Sequence, residues 1–176
     1  PHELTHVMLY RALGENYTRQ PVWLIEGMAS MVEVYANPEY KRALDHASQN
    51  NSLIPFEDLC ASFPPDSGSA YLAYAQSQSF VKYIYAGYGA SGLSRLNSAY
   101  SDGLSCELDA TRALGTPLSQ LDARWREDVL GQNVIGVALR NLAPFMLIMA
   151  LVLMVPLWGL IDLLRQRRKR AEQFAG

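Results

Sequence analysis

Several common catalytic and binding signatures are missing from this chain of 176 residues. It has no P-loop, no glycine-rich dinucleotide-binding turn and no serine nucleophile elbow, which argues against nucleotide chemistry and against a serine hydrolase. A basic face interleaved with aromatic residues is found neither in residues 1–141 nor in residues 142–176, so we expect no nucleic-acid partner. No pair of segments has the alternating apolar and polar pattern of β-strands, and no internal repeat is found. Helical patterns dominate instead, and the predicted fold class is mainly α.

Proline and glycine punctuate the helical periodicity and so indicate where helices begin and end. Gly14 suits a helix end, and Pro21 suits the first turn of a helix. The stretch 63–69, which is rich in Pro, Ser and Gly, is typical of a loop. The predicted helices span 1–13, 21–36, 38–49, 55–61, 70–87, 91–100, 107–114 and 117–130.

Cysteine is scarce, with only Cys60 and Cys106 in the chain. Their spacing is not that of a metal-binding cysteine pair. An oxidising compartment would permit a disulfide between them, closing a loop of about 46 residues. Two free buried thiols are the alternative, and the sequence leaves both open.

Histidine is also scarce, but two of the three residues lie four apart, at His2 and His6. On a helix this spacing places both imidazoles on one face, where they can bind the same Zn²⁺. Glu3 lies beside them in the pattern His-Glu-x-x-His, whose chemistry is metal-assisted hydrolysis. Glu26, on the helix that begins near Pro21, is the candidate third ligand.

This arrangement resembles the gluzincin metallopeptidases, which include thermolysin and the aminopeptidase N group. His2 and His6 are followed, after nineteen residues, by Glu26 within the pattern Trp-Leu-x-Glu-Gly-x-Ala. The pattern is most similar to bacterial peptidase MA-like domains, and a looser similarity extends from Pro1 to about Leu130. The resemblance implies that His2, His6 and Glu26 hold Zn²⁺ and that Glu3 is the general base. It also implies an upstream β-sheet, so we expect this chain to be the C-terminal piece of a longer protein.

Glu33 is a candidate for orienting a ligand histidine from outside the metal site. It shares a helix face with Val22, Glu26 and Ser30, at spacings of three and four residues. The alternative is a solvated charge at the helix end. Gly27, inside the same helix, suggests that the two metal-bearing helices approach each other closely, because glycine is otherwise unfavourable there.

A tyrosine completes the expected catalytic set. In the aminopeptidase N group, a tyrosine at the start of a comparable helix donates a hydrogen bond to the oxyanion. Tyr74 matches that pattern best, with Tyr71 as the rival. A packing role for Tyr74 is the alternative.

A second segment, at 142–164, has the composition of a transmembrane helix. Residues 142–161 carry no charged or polar side chain and are long enough to span the hydrocarbon core of a bilayer. Five positive charges follow within 165–170. The positive-inside rule therefore predicts a single-pass protein of the cell membrane, with the tail 165–176 cytoplasmic and the domain 1–131 extracytoplasmic, joined by 132–141.

Together these features predict a membrane-anchored, zinc-dependent metallopeptidase that acts on peptide or protein substrates. The alternative is a catalytically inactive, membrane-anchored binding or scaffold domain with a structural or vestigial zinc site. Metal content combined with chelator-sensitive peptide hydrolysis discriminates between the two.

Overall fold

The computed structural model describes residues 1–33, 37–103, 105–132, 142–150, 152–154 and 158. Within these ranges the protein is mainly helical and contains no strand, which confirms the mainly α prediction. The six principal helices are α1 (His2–Leu13), α2 (Val22–Met31), α3 (Pro38–Gln49), α4 (Ser67–Ser101), α5 (Cys106–Leu114) and α6 (Leu118–Leu130).

The chain divides into two compact units, 1–132 and 133–176. The first unit contains all six of these helices. In the second, residues 142–150, 152–154 and 158 are helical. The predicted span 142–164 thus lies in good part outside the described residues, and no helix within them has the length and apolar character to cross a bilayer.

The core of the first unit is built around four aromatic side chains from four segments. Phe56 stacks on Phe80 with ring centroids 3.9 Å apart, and Trp23 and Trp125 contact both rings edge-on at 5.2–5.8 Å. All four are at most 1 % exposed. The Trp125 indole N–H donates to Ser79 Oγ at 3.1 Å, so this buried polar group is satisfied. This cluster joins α2, α4 and α6 into one framework.

The predicted helix 55–61 is wrong, because these residues form successive turns. Their carbonyl oxygens accept hydrogen bonds from the start of α2. The Val22 amide donates to the Cys60 carbonyl at 2.9 Å, and the Trp23 amide donates to the Leu59 carbonyl at 3.1 Å. The first amides of a helix lack partners within it, and Pro21 at its start offers no side-chain cap. The turns therefore supply hydrogen-bond acceptors for the first two amides of the helix that carries Glu26.

Cys60 and Cys106 form a disulfide, which decides between the two alternatives left by the sequence. It joins the turns that cap α2 to the first residue of α5. A link across 46 residues of sequence restricts the unfolded chain and so stabilises the folded unit.

The longest helix, α4, combines two predicted helices. Gly89 has a φ of 66° and divides it with a kink, between the predicted spans 70–87 and 91–100. The predicted loop 63–69 is too long, because Asp66 caps the helix by accepting a hydrogen bond from the Ser69 amide at 2.8 Å. α4 therefore begins at Ser67.

Gly27 allows a close helix approach, but with a different partner from the one predicted. A Cβ at this position would lie 2.5 Å from both the Ser77 carbonyl oxygen and Val81 Cγ2. The residue therefore lets α2 pack directly against α4, rather than against α1. Close contact with the longest helix fixes the position of Glu26, one residue before Gly27.

Candidate metal centre

The two histidines of α1 lie side by side, as their spacing predicts. The Nε2 atoms of His2 and His6 are 3.1 Å apart, and their ring centroids are separated by 4.9 Å. α1 has no fully buried residue. The orientation of the two rings therefore depends on specific contacts from other segments rather than on enclosure.

Glu26 brings a carboxylate from α2 to the same place. Its Oε2 atom lies 3.3 Å from His2 Nε2 and 3.5 Å from His6 Nε2. The three side chains are between 19 and 25 % exposed, so the cluster is partly shielded but open to solvent. The structure thus places the three sequence-predicted ligands together.

The spacing of these three atoms can be compared with that of a zinc site. Four-coordinate zinc, with bonds of about 2.0–2.1 Å to nitrogen and oxygen, holds neighbouring ligand atoms roughly 3.3–3.4 Å apart. The observed separations of 3.1, 3.3 and 3.5 Å fall around that value. Two imidazoles and a carboxylate are also a donor set that zinc uses in catalytic sites. The residues present therefore fit a zinc ion.

Glu33 contacts the ring nitrogen of His2 that faces away from Glu26. His2 Nδ1 lies 2.9 Å from Glu33 Oε1. A carboxylate oxygen accepts, so a neutral His2 ring that donates its Nδ1 hydrogen to Glu33 presents the lone pair of Nε2 on the side of Glu26. This contact places Glu33 on a histidine rather than in open solvent. The predicted helix 21–36 is too long, because α2 ends at Met31 and Glu33 follows it; residues 34–36 lie outside the described residues.

Glu3 is exposed on α1, next to His2. Its carboxylate lies close enough to two tyrosines to affect both of them. Burial first, and then the negative charges of Glu26 and Glu3, raise the pKa of the Tyr17 and Tyr74 hydroxyls. Both hydroxyls therefore keep their hydrogens at neutral pH, and each can donate that hydrogen and accept another through its oxygen.

Tyr74 approaches the histidine cluster from α4. Its ring centroid lies 6.5 Å from that of His2, and Phe63 packs edge-on against it at 5.0 Å. Tyr71, one turn earlier, packs instead against Tyr40 of α3 at 5.1 Å. Of the two candidates, Tyr74 is the one whose ring lies beside a predicted metal ligand.

Tyr17 is a residue that the sequence reasoning missed. Its hydroxyl lies 2.9 Å from His6 Nδ1, the ring nitrogen that faces away from Glu26. Tyr17 belongs to a short 3-10 helix, Gly14–Arg19, which the sequence indicated only as a connection between helices. A tyrosine in a connection gives no periodic signal, so nothing in the sequence pointed to it.

Comparison with known proteins identifies a family for the first unit. A family model described as the Peptidase MA superfamily matches residues 1–131, which cover α1 to α6 and the histidine and glutamate cluster. No curated protein and no solved structure matches the chain. The family match covers about three quarters of the 176 residues. This chain therefore belongs to the Peptidase MA superfamily.

Proposed function

We propose that this protein is a zinc metallopeptidase of the gluzincin type, anchored to the cell membrane by residues 142–164. One observation carries the proposal: the Nε2 atoms of His2 and His6 and a carboxylate oxygen of Glu26 converge at separations of 3.1–3.5 Å. These separations match those between neighbouring ligand atoms of one four-coordinate zinc ion, about 3.3–3.4 Å. Membership of the Peptidase MA superfamily supports peptide hydrolysis as the activity.

In this proposal His2, His6 and Glu26 hold the ion. Bound Zn²⁺ supplies a Lewis acid that polarises a carbonyl and lowers the pKa of water. Glu33 keeps the His2 lone pair directed at the site through its hydrogen bond to Nδ1. The partial exposure of all three ligands leaves room for a peptide to approach.

The remaining chemistry belongs to Glu3 and Tyr74. Glu3 accepts the proton of the attacking water and delivers it to the leaving amine, which is general acid and base catalysis. Tyr74 donates its hydroxyl hydrogen to the carbonyl oxygen as negative charge develops there. The raised pKa of the Tyr74 hydroxyl, caused by burial and then by Glu26 and Glu3, keeps that hydrogen available.

Metal analysis and a chelator test the proposed function. We expect the purified chain to bind about one zinc per molecule and to hydrolyse an unstructured protein such as casein. A chelator should stop hydrolysis, and added Zn²⁺ should restore it. His6→Ala should bind Zn²⁺ much more weakly than wild type, whereas His46→Ala, which removes the exposed histidine of α3, should keep wild-type affinity.

A wild-type chain that binds no zinc, or that hydrolyses casein in the presence of chelator, would contradict the proposal. Stoichiometric zinc without hydrolysis would instead support the inactive binding or scaffold domain.

The membrane anchor rests on composition and on the described residues of 142–164. Apolar side chains there are exposed, with Phe145 at 68 % and Trp158 at 78 %. The disulfide between Cys60 and Cys106 is consistent with an oxidising, extracytoplasmic location of the first unit. We expect the full chain, expressed in bacteria, to stay in the membrane fraction after alkaline carbonate extraction, and a chain ending at residue 132 to be released. Extraction of the full chain by carbonate would rule out the anchor.

A further inference from the structure

His6 has an outer hydrogen-bond partner that comes from neither of the two ligand-bearing helices. Its Nδ1 atom lies 2.9 Å from the Tyr17 hydroxyl, eleven residues along the chain. The corresponding nitrogen of His2 is held by Glu33 at the same distance. Each histidine therefore has one ring nitrogen toward Glu26 and the other toward a fixed partner.

The segment that carries Tyr17 is tied firmly to α4. Gln20 is 6 % exposed, and its side-chain nitrogen Nε2 donates to the Asn97 carbonyl at 3.1 Å and to Ser101 Oγ at 3.3 Å. Arg19 donates to the Ser101 carbonyl at 2.9 Å. A hydroxyl on a segment anchored in this way can hold an imidazole in one orientation.

The need for such an anchor follows from the position of His6. α1 has no buried residue, so packing alone does not select one ring orientation. A histidine can bind a metal through Nε2 only when Nε2 carries no hydrogen, which requires the hydrogen on Nδ1 of the neutral ring. The Tyr17 hydroxyl oxygen lies at hydrogen-bond distance from Nδ1 and can accept that hydrogen.

We propose that Tyr17 is a positioning residue, which accepts a hydrogen bond from His6 Nδ1 and so directs the His6 Nε2 lone pair at Glu26 and His2. The inference rests on the proposed zinc site, and it assigns to the Gly14–Arg19 segment a part in metal binding. Tyr17 does not touch the ion or the substrate. Outer partners of ligand histidines commonly change metal affinity by about 10–100-fold.

The test is Tyr17→Phe in the full chain, with Zn²⁺ affinity measured by competition with a chromogenic chelator. We expect Zn²⁺ to bind about tenfold more weakly or worse. The absorption spectrum of the Co²⁺-substituted protein should change as well, because the His6 ring is no longer held. The melting temperature of the metal-free protein should stay close to wild type, since phenylalanine keeps the aromatic ring.

Tyr10→Phe is the matched control. Tyr10 is exposed and its ring packs edge-on against Tyr17 at 5.7 Å, so this variant removes a hydroxyl from the same pair of rings. Its Zn²⁺ affinity and Co²⁺ spectrum should match those of wild type. A double-mutant cycle adds a second measurement: in a His6→Ala background, Tyr17→Phe should have no further effect on residual metal affinity.

The outcomes separate this inference from the proposed function. If wild type binds Zn²⁺ and Tyr17→Phe binds it equally well with an unchanged Co²⁺ spectrum, the role of Tyr17 is wrong and the zinc site stands. If wild type binds no Zn²⁺, the proposed function fails, and the role of Tyr17 fails with it. An undiminished effect of Tyr17→Phe in the His6→Ala background would show that Tyr17 acts elsewhere.

Discussion

Glu3→Gln is expected to lower peptide hydrolysis by about 10²–10⁴-fold while the protein keeps its zinc. Glutamine has nearly the same shape as glutamate but accepts protons poorly, so the change removes the general base and spares the fold. Glu3 is exposed and is not one of the three converging donors, so metal binding should not depend on it. The measurement is kcat and KM on a fluorogenic peptide, together with zinc content.

Glu39→Gln is the matched control for this prediction. Glu39 is also an exposed glutamate in the first turn of its helix, in α3, where it forms an ion pair with Arg42. It should retain wild-type hydrolysis and zinc. Normal turnover by Glu3→Gln would exclude the assigned role of general base, whereas loss of zinc would mean that Glu3 supports the ligands instead.

Tyr74→Phe is expected to lower kcat by about 10²–10³-fold with little change in KM. The variant removes only the hydroxyl, which is assigned to the developing charge on the carbonyl oxygen and contributes little before that charge forms. The ring stays packed against Phe63 and beside His2, so zinc affinity and melting temperature should hold.

Tyr71→Phe separates the two tyrosine candidates, because Tyr71 lies one turn away and packs on Tyr40. It should leave kcat unchanged. A loss of kcat in Tyr71→Phe, with Tyr74→Phe active, would reverse the assignment. A lower melting temperature with intact kcat in Tyr74→Phe would identify Tyr74 as a packing residue.

Features that depend on neighbouring positions along one helix could be predicted well. The four-residue spacing of His2 and His6 puts both rings on one face of any helix, and the structure has their Nε2 atoms 3.1 Å apart. The predicted bounds 38–49 for α3 agree with the structure, and those for α5 and α6 differ by one residue at the start. Proline and glycine mark these ends through their own backbone preferences.

Contacts between distant segments were less predictable. Gly27 was expected to face α1, whereas it packs against Ser77 and Val81 of α4. Glycine in a helix indicates that something lies close, but the identity of the neighbour depends on how the helices pack. The turns at 55–61 were predicted as a helix because their capping of α2 is visible only in three dimensions.

The sequence by itself determined the helical class, the histidine pair and the carboxylate that could join it. The tertiary structure alone decided that Cys60 pairs with Cys106, that Glu33 holds His2 and that Tyr17 holds His6. The physical reason is the distance along the sequence between the residues that are in contact. Helical spacing is a property of adjacent turns and can be counted along the chain, whereas a hydrogen bond between separate segments exists only once burial of the shared core has brought them together.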